Sequence, residues 1–107
     1  MSERTVLIVE DEPLVAEDIA QALEKNDFTV LAIAYNKEDA ILALQTKLPD
    51  MVILDINLNG AMEGIEIAAL INNQYHIPFI FLTSYSDRRT LTDAKFTEPA
   101  GYIVKPF

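Results

Sequence analysis

The sequence predicts an α/β fold in which helices cover both faces of a five-stranded parallel sheet. Five short apolar runs alternate with segments of helical periodicity, a pattern typical of strands joined by crossover helices. Runs such as Val-Leu-Ile-Val at 6–9 and Phe-Ile-Phe-Leu at 79–82 are apolar at successive positions, as expected for strands that are buried on both faces. They span residues 6–9, 28–33, 51–54, 79–82 and 102–104.

The helical segments carry their own start and stop signals. The first spans 13–25, and the second begins after Asn36 as its N-cap and ends near Leu48. A third spans 63–72, and a weaker fourth lies within 87–96. The side chains expected to face inward are Val15, Ile19, Ala22 and Leu23 in the first helix, Ala40, Ile41, Leu44 and Leu48 in the second, and Ile67, Ala68 and Ile71 in the third.

Length and composition narrow the classes of function. A chain of 107 residues suits one domain with a single core, so we expect residues 1–107 to form one domain. With 17 acidic and 8 basic residues the net charge is −9, which argues against direct nucleic-acid binding. The absence of cysteine excludes disulfides and thiolate chemistry and fits the cytoplasm. No apolar run is long enough for a membrane span or a signal peptide.

The alternating pattern stops early. The chain ends at Phe107, directly after the fifth strand, where such a fold normally continues with a final helix. We expect that this helix is absent from the chain, and that either a longer protein or a partner covers the exposed sheet face.

Polar side chains follow four of the predicted strands. Glu10 and Asp11 follow the first, Asp55 the third, Thr83 the fourth and Lys105 the fifth. The carboxyl ends of parallel strands meet at one edge of an open sheet, which is where such folds bind ligands. The sequence therefore predicts three carboxylates, a hydroxyl and an ammonium group at one edge.

This set of groups points to a magnesium ion and phosphoryl transfer. Crowded carboxylates repel one another, and a hard divalent cation relieves that repulsion. The backbone carbonyl of Asn57 offers a further oxygen ligand. Phosphoryl transfer needs a nucleophile together with positive charge on the transferred oxygens. Asp55 is the candidate nucleophile, and magnesium and Lys105 are the candidate charges.

Four segments together resemble the receiver domains of bacterial two-component response regulators. They are VLIVEDEP at 6–13, VILDIN at 52–57, FLTS at 81–84 and YIVKPF at 102–107. The resemblance implies a flavodoxin-like sheet with strand order 2-1-3-4-5. It also implies phosphorylation of Asp55 by a histidine of a sensor kinase or phosphotransfer protein, with Glu10 and Asp11 holding magnesium.

The resemblance further implies a conformational switch. Thr83 would turn toward the new phosphoryl oxygens, Tyr102 would rotate into the vacated space, and Lys105 would pair with the phosphate. A phosphoryl group adds nearly two charges and three acceptor oxygens, enough to bias a two-state arrangement. The change would be transmitted to an output domain or a second copy of the chain.

Some positions depart from the family pattern. Leu58 and Asn59 replace a frequent Met-Pro pair, and Gly64 comes one place later than the usual glycine. We expect a loop one residue longer, with Gly60 easing its turn. Glu10 stands where Asp is commoner, so its longer side chain is expected to reach magnesium through a water molecule.

Taken singly, several of these residues fit simpler roles. Glu10 and Asp11 fit a solvated acidic run at a helix N-terminus, Lys105 fits a surface lysine, and Tyr102 fits ordinary strand packing. A phosphatase of the haloacid-dehalogenase kind also forms an aspartyl phosphate, but it needs a second Asp where this chain has Asn57. A degenerate receiver that binds partners without phosphorylation is a further alternative.

Overall fold

The computed structural model describes residues 4–56, 58, 63–84, 95 and 97–104. Its elements, in chain order, are β1 (Arg4–Val9), α1 (Pro13–Lys25), β2 (Phe28–Ala34), α2 (Lys37–Thr46), β3 (Met51–Asp55), α3 (Glu63–Leu70), a π-helical turn (Ile71–Tyr75), β4 (Phe79–Thr83) and β5 (Gly101–Val104).

The five strands form one parallel sheet in the order β2-β1-β3-β4-β5. This confirms the predicted doubly wound, flavodoxin-like fold. The chain order reverses between β1 and β3, and the crevice beyond the strand ends at such a reversal is where these folds bind ligands. Val9 pairs with Leu54 in this register, so β1 and β3 end almost level.

The core has two parts, one on each face of the sheet. Alternate residues of β1 point to opposite faces: Leu7 and Val9 pack with α2 and α3, whereas Val6 and Ile8 pack with α1. All four side chains are buried. This double burial is the physical reason that residues 6–9 of β1 are apolar at every position.

The structure confirms the bounds of α1 and corrects the prediction of its inward face. Ala16, Ile19 and Ala20 are buried against the sheet, whereas Ala22, which the periodicity placed inward, is exposed. The two buried alanines allow α1 to lie close to the strands. Ile19 was predicted to face inward, and Val15 and Leu23 also pack against this core as predicted, so the prediction is wrong only for Ala22.

The start of α2 is as predicted, but its end is not. The Asn36 side chain accepts a hydrogen bond of 2.8 Å from the Asp39 amide, so Asn36 is the N-cap. The helix ends at Thr46, because Lys47 has extended backbone angles. Leu48 precedes Pro49, and the residue before a proline is disfavoured in helices. Leu48, predicted to be the last inward residue, is 49% exposed, and that prediction is wrong.

Replacing the N-cap provides a test of this local assignment. Asn36→Ala removes the acceptor for the Asp39 amide, and we expect it to lower the free energy of unfolding by about 1 kcal/mol. Urea denaturation measures the change, with Asn73→Ala at an exposed position as the matched control. Equal stability of the two variants would contradict the capping role.

The third helix continues beyond its predicted end in a different form. After Leu70 the chain makes a π-helical turn that ends at Tyr75. His76 caps this turn with a φ of 54°, and its amide donates to the Ile71 carbonyl at 2.7 Å. Ile67, Ala68 and Ile71 are fully buried, as predicted.

The predicted fourth helix, 87–96, lies outside the described residues apart from Lys95. Among the described positions, no helix combines the length and the apolar composition needed to cross a bilayer.

Candidate functional site

Three carboxylates meet at the strand-order reversal. Glu10 follows β1 directly, Asp11 comes next, and Asp55 is the last residue of β3. One oxygen from each side chain lies within 4.8 Å of the others. The level ends of β1 and β3 bring these groups together, since Val9 and Leu54 are paired immediately before Glu10 and Asp55.

Two of the three acids are buried. Glu10 is 0% exposed and Asp55 is 5% exposed, while Asp11 is partly buried. Burying a charged carboxylate is unfavourable unless it gains polar partners. The Glu10 Oε1 atom accepts a hydrogen bond of 3.3 Å from the Glu12 amide. The backbone amide of Glu10 donates to the Ala34 carbonyl at 3.0 Å.

This donor set fits magnesium. All three side chains offer oxygen, which is the ligand atom that magnesium prefers, and the ion binds oxygens at about 2.0–2.1 Å. Two oxygens on one such ion are therefore at most about 4.2 Å apart, close to the 4.8 Å limit within which these oxygens lie. A cation would also relieve the repulsion among the buried charges.

Thr83 lies at the same edge of the sheet. It is the last residue of β4, the strand next to β3, and its side chain is buried. Its Oγ1 donates to the Ser84 carbonyl at 3.4 Å, which is long for a hydroxyl hydrogen bond.

Tyr102 lies on β5 and is 39% exposed. It pairs with Phe81 in the sheet, and its ring stacks on the Phe81 ring with the centroids 6.1 Å apart. Phe81 in turn contacts Phe79 edge to face at 5.4 Å. The Tyr102 ring therefore lies partly in solvent, on an aromatic row that extends into the core.

Two of the predicted site residues, Lys105 and Asn57, lie outside the described residues. The same is true of Asn59 and Gly60 in the loop that was expected to be longer. Leu58 is described and is fully buried.

Sequence reasoning missed one contact at the site. Gly64, noted only for its unusual spacing, is buried in α3, and a Cβ at this position would lie 2.0 Å from the Asp55 carbonyl oxygen. A signal was present in the spacing, because Gly64 stands three, four and seven residues before Ile67, Ala68 and Ile71. The glycine therefore extends the inward face of the third helix.

An ion pair at the surface joins α2 and α3. Lys37 Nζ and Glu66 Oε2 are 2.6 Å apart. The hydrogen bond and the negative charge of Glu66 raise the pKa of Lys37 above its ordinary value. The pair's contribution to stability is therefore present below that ordinary value and lost as the pH rises through the raised pKa.

The chain matches the family of response regulator receiver domains over residues 6–107. It is 34% identical to the phyllosphere-induced regulator PhyR of Methylorubrum extorquens, over 95% of this chain and 38% of that protein. It is 32% identical to the transcriptional regulatory protein PdtaR of Mycobacterium tuberculosis, over 97% of this chain and 50% of that protein. The chain thus spans half or less of the length of these two relatives.

A solved structure has the same fold. The signal receiver domain of a modulated diguanylate cyclase from Desulfovibrio desulfuricans G20 superposes with a TM-score of 0.89 at 38% identity, covering 98% of this chain and 83% of that one. This similarity agrees with the fold described above. The chain belongs to the family of response regulator receiver domains, the signalling modules of two-component systems.

Proposed function

We propose that residues 1–107 form a receiver domain that is switched by phosphorylation of Asp55 in a magnesium-dependent reaction. The observation that carries the proposal is the set of three carboxylate oxygens within 4.8 Å of one another at the strand-order reversal. Membership of the receiver family supports the same chemistry. The phosphoryl donor is a histidine of a sensor kinase or of a phosphotransfer protein.

Magnesium is the proposed cofactor. The carboxylates of Asp11 and Asp55 and the backbone carbonyl of Asn57 would hold it directly, and the carboxylate of Glu10 would hold it through a water molecule. When bound, the ion supplies positive charge for the oxygens of the transferred phosphoryl group. Oxygen-only donors and the burial of Glu10 and Asp55 support this assignment.

Asp55 is the nucleophile. One of its carboxylate oxygens attacks phosphorus, the phosphorus–nitrogen bond of the donor phosphohistidine breaks, and the released imidazole takes up a proton. The ammonium group of Lys105 pairs with the phosphoryl oxygens. Since the domain acts only on its own Asp55, in phosphorylation and in dephosphorylation, it is a signalling module rather than an enzyme with external substrates.

Thr83 and Tyr102 carry the conformational change. The new phosphoryl oxygens are stronger acceptors than the Ser84 carbonyl, so the Thr83 hydroxyl donates to them in place of its 3.4 Å bond. Tyr102 then turns from its partly exposed position on Phe81 toward the space that Thr83 leaves. The altered surface is read by an output domain or by a second copy of the chain.

The proposed setting is the cytoplasm, where two-component kinases present their phosphohistidine. The absence of cysteine fits a reducing compartment, and the net charge of −9 fits a domain whose partners are proteins. We propose no direct contact with nucleic acid or with a membrane by this segment.

Phosphorylation by a small donor tests the proposal. We expect incubation with acetyl phosphate and magnesium to add one phosphoryl group to the intact protein, as measured by mass spectrometry. We expect EDTA to prevent the addition, because the three carboxylates then repel the incoming dianion. No addition with magnesium present, or equal addition with EDTA, would contradict the proposal.

A further inference from the structure

Gly64 packs against the backbone of the proposed phosphoryl acceptor. It is the second residue of α3. An ideal Cβ at this position would lie 2.0 Å from the carbonyl oxygen of Asp55 and 2.9 Å from that of Ile56. Both distances are far inside van der Waals contact, and both atoms belong to the backbone. Any other residue at this position would therefore force either α3 or the Asp55–Ile56 peptide to move.

The peptide side of this contact is held by the sheet. Asp55 pairs with Leu82 of β4, and the Ile56 amide donates to the Leu82 carbonyl at 3.0 Å. The Ile56 side chain is fully buried. The peptide therefore has little freedom to move except by distorting the end of β3, where the Asp55 carboxylate is attached.

The helix side of the contact is held by the core and by α2. Ile67, Ala68 and Ile71 lie on the same face of the helix as Gly64, and all three are fully buried. Glu66 Oε2 forms an ion pair with Lys37 Nζ of α2 at 2.6 Å. Glycine is a poor helix former, so its presence in the first turn of α3 weakens the helix. The close approach to Asp55 explains why glycine is needed here.

We propose that Gly64 is a positioning residue for Asp55. Because residue 64 has no side chain, the backbone of α3 lies in direct contact with the Asp55–Ile56 peptide. This contact keeps the Asp55 carboxylate within reach of Glu10 and Asp11. The inference rests on the proposed function, because it concerns the same metal and acceptor site. Magnesium demands near-ideal octahedral geometry, so a small displacement of one ligand weakens binding.

Three variants test the proposal. Gly64→Ala adds the clashing methyl group. Gly101→Ala is the matched control, since a Cβ there meets nothing within 4 Å. Ala68→Val overpacks the same face of α3 one turn further on, at a fully buried position. Magnesium affinity is measured by calorimetry on the whole chain, and stability by urea denaturation in EDTA.

We expect Gly64→Ala to bind magnesium about tenfold more weakly or worse, the loss typical of removing a group that orients a ligand. We expect Gly101→Ala to match the parent, and Ala68→Val to lose stability while keeping the parent's affinity. Parental affinity in Gly64→Ala would overturn the proposal. An equal loss in Ala68→Val would also overturn it, since any disturbance of α3 would then have the same effect.

If Gly64→Ala does not fold in buffer, the titrations of all four proteins are repeated in trimethylamine oxide, which favours the folded state. A variant that stays unfolded there while Ala68→Val folds would overturn the positioning role, because the contact would then serve the whole fold. Failure of the parent itself to bind magnesium would contradict the proposed function and this inference together. If the parent and Gly64→Ala bind magnesium with equal affinity, this result would contradict the positioning role of Gly64 but not the proposed function.

Discussion

Asp55→Asn is expected to abolish phosphoryl labelling of this domain. The substitution keeps the size and the polarity of the side chain, so the buried site at the end of β3 can still be filled. An amide oxygen, however, is a far weaker nucleophile than a carboxylate oxygen and forms no stable acyl phosphate. The other two carboxylates of the cluster, Glu10 and Asp11, are expected to act as metal ligands and not as acceptors.

Intact-mass analysis after treatment with acetyl phosphate and magnesium measures this loss. Asp18→Asn is the matched control, because Asp18 is exposed on α1, and this variant should be labelled like the parent. Urea denaturation of both variants tests whether they are folded. Undiminished labelling of Asp55→Asn would place the acceptor elsewhere in the chain.

Phe81→Ala is expected to destabilise the fold severely. Phe81 is fully buried at the centre of β4. It contacts the ring of Phe79 on one side and the ring of Tyr102 on the other. Removing a buried phenyl ring leaves a cavity and costs about 3–5 kcal/mol. Native domains have a total stability of roughly 5–15 kcal/mol, so this variant should be close to unfolding.

Urea denaturation measures the loss, with Leu42→Ala as the control. Leu42 is 63% exposed on α2, and its truncation should change the free energy of unfolding by no more than about 0.5 kcal/mol. If Phe81→Ala does not fold, Phe81→Leu, which leaves a smaller cavity, should still be clearly less stable than Leu42→Ala. Equal stability of the Phe81 and Leu42 variants would contradict the assignment of Phe81 to the core.

The fold was predictable from the sequence because its signals are local and repeated. The central strands carry apolar runs that are buried on both faces of the sheet, such as residues 6–9. Asn36 marks the start of α2, because its side chain caps the helix. The errors arise where tertiary packing decides. Periodicity predicted the apolar stripe of α1 correctly at Val15, Ile19 and Leu23, but it placed Ala22 inward in error and missed the buried Ala16 and Ala20. The end of α2 depends on the extended backbone of Lys47. The π-helical turn after Leu70 has no comparable local signal.

The sequence predicts which acidic residues form the candidate site, but not how they are buried or what contacts them. Parallel strands end at one edge, so Glu10, Asp11 and Asp55 could be expected to lie together, and their oxygens do. The complete burial of Glu10 and the contact between Gly64 and Asp55 depend on how α3 docks on the sheet. That docking involves residues far apart in the chain, which a single sequence does not reveal.

A calorimetric titration of the metal-free protein with magnesium is the most direct test of metal binding by the acidic cluster. The parent should bind one magnesium ion at millimolar concentrations or below, and Asp18→Asn should bind it equally well. Asp11→Asn, which removes one carboxylate of the cluster, should bind much more weakly, because the ion loses both a ligand and a negative charge. Absence of binding by the parent at millimolar magnesium, or equal affinity in Asp11→Asn and the parent, would contradict a metal-dependent acceptor at this edge of the sheet.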